Sequence, residues 1–333
     1  MGGKMYRNNE ELQMYDRVNF VLNHAALGDM ICSLPAIVHA RLTHHESMKM
    51  FVWVPSWQMD LVAHLLEPYG AFIVKDLEKF PMRKAERKLA DLGPTALNQA
   101  PFDTHTRNRV HMVDYAFRYL LDAQPESMFE RSYPTAALLG PRQIQGKYVV
   151  FPVGATSLNK LFKAKVMVPI MEWVHSRGYS PVVVGTKTSH TKVNVGGTMT
   201  PIVMIDESQH IPAGLFLDWR EKTTLLELRD ICGHAAAVVG VDGGTIHLAG
   251  TTPTNIIYGL TTTEPKHRYI ARNGDPECRI RYVVPRDLEC AGCQSHMTLL
   301  FNHDFRNCVY GDNKCVDMLH PEDFINGLKE LGL

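Results

Sequence analysis

The sequence predicts an α/β protein built as two tandem Rossmann-like halves. Short apolar runs of strand length alternate with longer helical stretches, the pattern of parallel βαβ units. That alternation begins again after a turn-rich stretch near residue 140. The chain has 333 residues, more than a single hydrophobic core normally organises. These observations divide it into an N-terminal domain at 1–143 and a C-terminal domain at 144–333.

In the first half, Arg17–Leu22 is an apolar run that reads as a buried strand. A turn at Ala25–Asp29 leads into a helix over Ile31–Arg41. Lys49–Val54 and Ala71–Lys75 read as strands, with Trp57–Tyr69 as the helix between them. Met82–Asp91 is charged and reads as helix or loop. Val110, Val113, Phe117 and Leu121 recur at helical spacing, so Arg109–Leu121 is an amphipathic helix. Pro125–Gln145, with Gly140-Pro141 inside it, is the inter-domain connection. In the second half, strands are expected at Lys147–Pro152, Ser180–Gly185, Ala236–Val241 and Asn255–Tyr258. Helices are expected at Val166–Arg177 and Thr223–Gly233, and from Thr245 to Gly250. His320–Leu331 closes the chain as a helix, with Pro321 in its first turn and Gly332 after its end.

Composition narrows the function classes. Hydrophobic residues make up 45% of the chain and charged residues 21%, which excludes a mostly disordered protein. Basic and acidic residues number 35 each, and they balance again on either side of Arg142. A nucleic-acid-binding protein usually carries a basic excess, so this balance weighs against that class. No apolar run approaches the roughly 18–20 residues of a membrane-spanning helix. Met1–Asp16 is polar and lacks the apolar core of a secretory signal. The expectation is a soluble, cytoplasmic protein.

Three loops that follow strands carry chemistry. The first holds Gly28-Asp29 ahead of Leu34-Pro35. Gly28 suits a tight turn with positive φ. Asp29 at the head of a helix can accept a proton from an attacking hydroxyl, or simply cap the helix. The second runs from Phe151 to Phe162 and includes Gly154, Thr156, Ser157 and Lys160. Small and hydroxyl residues before a helix offer N–H groups to an anion, and Lys160 adds a point charge suited to a diphosphate. The alternative is a solvated loop with a surface lysine. The Gly-Lys-Ser/Thr signature of a Walker loop is missing. The third is Asp242-Gly243-Gly244-Thr245, then His247. A buried strand ends there and a helix begins, so its N–H groups and positive dipole end face the ligand side. Two consecutive glycines are costly unless the backbone needs them, and here they allow a phosphate close approach. His247, one turn in, could donate to a phosphate oxygen. The competing reading makes Asp242 a cap and His247 a core histidine.

Four of the seven cysteines fall at Cys290-x2-Cys293-x14-Cys308-x6-Cys315. This resembles a four-thiolate structural zinc site. Free or reversibly oxidised thiols remain an open alternative, and two disulfides conflict with the missing secretory signal. Cys32, Cys232 and Cys278 read as ordinary buried thiols. Arg107, Arg109 and His111 form a small basic cluster that could meet an anionic acceptor or lie at a solvated helix start. Gly185, at a strand end before Thr186 and Lys187, could flank a nucleotide base or ribose.

The three loops in this order resemble glycosyltransferase family nine, the bacterial heptosyltransferases. The resemblance rests on Leu27-Gly28-Asp29 with Leu34-Pro35, on Thr156-Ser157 with Lys160 and Phe162, and on Asp242 to Ala249 with Pro253, Gly259 and Thr261. It spans about residues 17 to 331. It implies a GT-B architecture, two Rossmann-like domains facing across a central cleft. It also implies an inverting transfer without a catalytic metal, from an ADP- or UDP-sugar as co-substrate. On that resemblance Asp29 matches the general base. Lys160 and the Gly244–His247 turn match the diphosphate-binding elements, and Asp242 matches the sugar-contacting acid. Asp-Gly-Gly replaces the family's usual Asp-Thr-Gly, which removes a hydroxyl contact. The expected acceptor is a bacterial surface glycan. One alternative is a hydroxymethylated pyrimidine in DNA, modified in a phage-infected cell. Another is a non-catalytic nucleotide-sugar-binding module.

Overall fold

The computed structural model describes residues 17–22, 26–43, 49–74, 87–91, 111–121, 123–187, 189–195, 198–275, 279–296, 308 and 310–333. In the N-terminal part, β1 (Arg17–Val21), β2 (Lys49–Trp53), β3 (Phe72–Val74) and β4 (Arg87–Asp91) form a parallel sheet in the order β3-β2-β1-β4. Helix α1 (Leu27–Thr43) follows β1, and α2 (Met59–Leu66), flanked by single 3-10 turns, follows β2. Helix α3 (Met112–Leu121) packs on α1. Apolar residues of α1 such as Met30, Ile31, Leu34 and Ile37 are fully buried, which is why this run is helical in place.

Six strands make the C-terminal sheet. They are β5 (Tyr148–Val153), β6 (Ser180–Gly185), β9 (Leu217–Asp218), β10 (Ala237–Val241), β11 (Asn255–Gly259) and β12 (Ile280–Val283). The order is β12-β11-β10-β5-β6-β9, and every pairing is parallel. A separate antiparallel ribbon pairs β7 (Ser189–Val195) with β8 (Thr198–Met204). Helix α4 (Ala164–Ser176) follows β5, α5 (Leu225–His234) precedes β10, and α6 (Gly244–Gly250) follows it. Thr224 starts α5 with a capping box to Glu227. Short helices α7 (Pro265–Arg268), α8 (Cys293–His296) and α9 (Lys314–Asp317) lead to α10 (Pro321–Glu330).

Strand order reverses direction beside β1 in the first sheet and between β5 and β10 in the second. In open α/β sheets the crevice for ligands opens at such a switch point, beyond the strands' C-terminal ends. One buried apolar cluster runs from Phe20, Ile31 and Val52 across to Ile246, Leu248 and Tyr258, so it joins the two sheets. A second cluster lies under the other face of the C-terminal sheet, where Phe324 and Leu328 of α10 meet Ile170 of α4.

The structure corrects several expectations. Residues 87–91, expected as helix or loop, form an edge strand. Gly28 is not in the positive-φ region but lies inside the first turn of α1. Strands β7, β8, β9 and β12 were not among the expected elements, although β7 and β8 flank Gly196-Gly197, a strong hairpin signal.

Candidate active site

The loops after β5 and β10 meet at the switch point. Lys160 ends a 3-10 turn, Leu158–Lys160, and its Nζ donates to Asp242 Oδ2 at 2.6 Å. Tyr258, on β11, donates its hydroxyl to Asp242 Oδ1, also at 2.6 Å. His247 Nε2 stands 3.5 Å from the same oxygen. Asp242 therefore does not cap α6, whose N-cap is Gly243 without a side-chain bond. The Asp242 side chain is only 6% exposed, and Lys160 reaches it from a position 31% exposed. Burial works against the Asp242 charge, but Lys160 and then His247 hold its carboxyl well below the usual range.

His247 is buried. Its Nδ1 lies 2.7 Å from the Tyr133 hydroxyl and 3.7 Å from Cys32 Sγ. Burial disfavours the imidazolium, yet the Cys32 sulfur and the Asp242 carboxylate outweigh it and push the pKa up to about 10. Lys160 and His247 thus flank one buried carboxylate. Burial and the neighbouring carboxylate push the Tyr258 phenol well up, and it stays a donor.

Helix α1 packs directly on α6. A methyl group added at Gly28 would stand 2.9 Å from His247 Cδ2, and one at Gly244 would stand 2.9 Å from Leu27 Cβ. Both glycines are needed for this approach of the two helices. Gly243 is different: its φ of −167° is extended, and an added Cβ would meet only Val241 O, at 3.6 Å. Asp29 lies in the first turn of α1, half-buried. Cys32 is one turn along on the same helical face, so the contact with His247 orients that face toward α6.

The remaining candidates distribute as follows. Thr156 is exposed, while Ser157 is buried and donates to Asn159 Oδ1. Thr245 is half-buried in the first turn of α6. Gly185 has φ +113°, and an added Cβ would collide with Val153 O at 2.1 Å, so the end of β6 requires glycine. Gly154, at φ +92°, faces Thr186 in the same way. Arg107 and Arg109 lie outside the described residues. His111 is buried rather than offered to an acceptor. Its Nδ1 accepts from Val113 N–H, its Nε2 donates to Tyr269 O at 2.8 Å, and its ring stacks on Tyr269. Burial pushes its pKa down to about 3, so it is neutral.

Cys290, Cys293, Cys308 and Cys315 line one cavity of about 20 Å³, with Asn159 and Thr262 also in its wall. All four are free thiols. Burial raises Cys293 to about 11 and Cys315 to about 12, and neighbouring cysteines add to both shifts. Among the described residues, no group of three or more His, Cys, Asp or Glu side chains converges in metal-holding geometry. This segment is tied to the candidate donor loops. Gly292 N–H bonds Thr261 O, Gln294 N–H bonds Thr262 O, and Thr261 Oγ1 donates to Asn159 O at 2.6 Å. Cys278 is outside the described residues, and Cys232 is buried. Cys32, expected to be an ordinary thiol, instead touches the central histidine.

Tyr133, Tyr258 and Thr263 belong to the region but were not among the candidates. Thr263 Oγ1 is buried with no hydrogen-bond partner among the described residues, in the loop after β11. Tyr258 could have been found, because it stands at a strand's C-terminal end, where ligand-facing groups gather. Tyr133 carries no local signal.

No protein-family model matches the chain, and no curated protein does either. Solved structures do. The iron-containing dodecameric glycosyltransferase TibC from enterotoxigenic E. coli H10407 matches with a TM-score of 0.70 at 19% identity, over 96% of this chain and 77% of that one. A family 9 glycosyl transferase from Veillonella parvula matches with 0.58 at 12% identity, over 99% of each chain. The E. coli ADP-heptose lipopolysaccharide heptosyltransferase II matches with 0.59 at 11% identity, over 94% and 98%. With two parallel sheets, a site at their switch points and these neighbours, the chain has the GT-B fold of the heptosyltransferases of glycosyltransferase family nine.

Proposed function

We propose that this protein is an inverting glycosyltransferase that moves a sugar from a nucleotide-diphosphate sugar to a hydroxyl of a bacterial surface glycan, working in the cytoplasm. The observation that carries this reading is the Lys160–Asp242–His247 cluster, set at the switch point against the helix that bears Asp29. In this reading the diphosphate lies over Lys160 and the first turn of α6. Asp29 takes the proton of the acceptor hydroxyl, whose oxygen attacks the anomeric carbon from the face opposite the leaving diphosphate. Positive charge around Lys160 and His247 stabilises the negative charge that develops on the departing group. TibC has been solved with ADP-D-β-D-heptose and the E. coli heptosyltransferase WaaC with ADP, which favours an ADP-sugar as donor over a UDP-sugar. Nothing at His111 favours a DNA acceptor, since that side chain is buried and neutral.

We also propose that the four late cysteines hold one structural metal ion, zinc or iron. Four sulfurs lining one small cavity fit an ion in ligand kind, although they do not converge in metal-holding geometry. Bound as a closed four-thiolate site, the ion would brace the segment that is hydrogen-bonded to Thr261 and Thr262.

A thermal-shift panel of ADP-, UDP- and GDP-sugars tests the donor reading. A ligand at 100 times its Kd adds about 2.7 kcal/mol of stability, a shift of several degrees. The expected result is a shift with ADP-sugars that Lys160→Ala abolishes. A folded sample that responds to no nucleotide sugar refutes the transferase. Metal analysis of the purified protein, with Cys293→Ser beside it, tests the thiolate site: less than about 0.1 equivalent of any metal refutes it.

A further inference from the structure

His247 has two ring nitrogens and a different domain at each. Nε2 faces Asp242 and Tyr258, which belong to the C-terminal sheet. Nδ1 faces Tyr133, from the connection, and Cys32, from α1. Tyr133 is held on three sides by the fold. Its N–H bonds Ala271 O at 3.0 Å. Its ring lies so close to α6 that a Cβ on Gly250 would stand 2.9 Å from Tyr133 Cδ2. Its hydroxyl is 3.1 Å from Cys32 Sγ.

The 2.7 Å contact joins Tyr133 to the ring in either protonation state: an imidazolium donates Nδ1–H to the Tyr133 oxygen, and a neutral ring accepts the hydroxyl at Nδ1. In both states Nε2–H points to Asp242. We propose that Tyr133 is a positioning residue for the donor diphosphate: its hydroxyl holds His247 by Nδ1 and so keeps the ring turned to Asp242 beneath the diphosphate site. This rests on the donor site placed above at Lys160 and Asp242.

Other titratable and charged groups surround the ring. Lys160 approaches through Asp242, and Arg268 of α7 is close enough to act on Asp242. His111, at the start of α3, is near enough to be lowered by His247. Asp29 shares the first turn of α1, and Tyr282 of β12 is close to Tyr133. Lys160 and His247 both face the proposed diphosphate site, so the test must separate them.

Binding of ADP is measured by calorimetry from pH 6 to 10.5 for the wild type, Tyr133→Phe, His247→Gln and the double variant. The part of the alkaline loss that is missing in His247→Gln belongs to His247. Tyr133→Phe keeps the ring and removes only the hydroxyl. It is expected to weaken ADP about tenfold at pH 7.5 and to move the His247 limb down by about one pH unit, since a hydrogen bond to a charged group is worth about that factor. In the His247→Gln background the same change is expected to have almost no effect. An unmoved limb, or an equal loss with and without His247, overturns the proposal and leaves Tyr133 a packing residue. The 15N shifts of the wild-type His247 ring test the same bond without any variant. An Nδ1 shift displaced as a hydrogen-bonded nitrogen supports it, and an Nδ1 shift of an unbonded nitrogen overturns it. If wild type binds no ADP at all, the donor-site reading fails, and the ring shifts still decide the Tyr133–His247 contact.

Discussion

Gly243 and Gly244 are adjacent, yet the structure asks opposite things of them. Take Gly244→Ala. Its new methyl would stand 2.9 Å from Leu27 Cβ and 3.3 Å from Leu27 Cγ and Cδ2. Leu27 Cβ is bound to the backbone of α1, so relief requires one helix to move against the other. The substitution should gain about 0.5–1 kcal/mol in helix propensity, and less in the first turn, where the preference is weaker. Over-packing of a tight contact costs about 1–3 kcal/mol. The net expectation is a loss of about 1–2 kcal/mol, because the over-packing outweighs the propensity. Gly243→Ala meets only Val241 O at 3.6 Å and should stay within about 0.5 kcal/mol of wild type. Urea unfolding compares the two midpoints at a common slope. If Gly244→Ala unfolds at or above the wild-type midpoint, the α1–α6 contact is not tight, and the argument from Gly28 and His247 falls with it.

The charge of His247 carries a pH signature. Its folded pKa is raised to about 10, so its contribution is complete below the unfolded value of about 6.5 and is lost as pH rises through the folded one. His247→Gln should flatten the decline in stability between these values, read from denaturation midpoints; an unchanged decline assigns it to other groups. Asp242 acts in the opposite direction. Its pKa is depressed, so its contribution is complete above the unfolded carboxylate value and fades in acid. Asp29→Asn should lower turnover about 10²–10⁴-fold while shifting stability by less than about 1 kcal/mol. Turnover within threefold of wild type removes Asp29 from the role of base.

Much of the fold was legible because burial on both faces writes parallel strands as apolar runs. Val149, Val150, Val182, Val183, Val238 and Val239 all lie in the core. Arg87–Asp91 was not legible for the same reason inverted: a charged pentapeptide pairs only at an edge, and nothing local says that an edge is there. The strand-end rule singled out Asp242 and the loop singled out Lys160, but neither says that the two bond each other. Gly28 was singled out for the wrong cause, since backbone freedom is visible in a sequence and a histidine 219 positions downstream is not. Tyr133 sits in a stretch whose composition marks only a connection. Its partners, Cys32 and His247, are brought to it by tertiary packing alone.

The apolar cluster that passes from one sheet to the other has a consequence for how the molecule comes apart. Two domains joined by a polar seam melt separately and move freely. Here Ile31, Leu34 and Val113 share a continuous interior with Ile231, Ile246 and Leu248. The N-terminal half closes its interior against the C-terminal sheet, so a cut at the connection would leave two pieces with raw apolar faces. Heating the whole chain should meet a single cooperative body, in which losing the N-terminal helix that bears Asp29 and losing the C-terminal sheet are the same event.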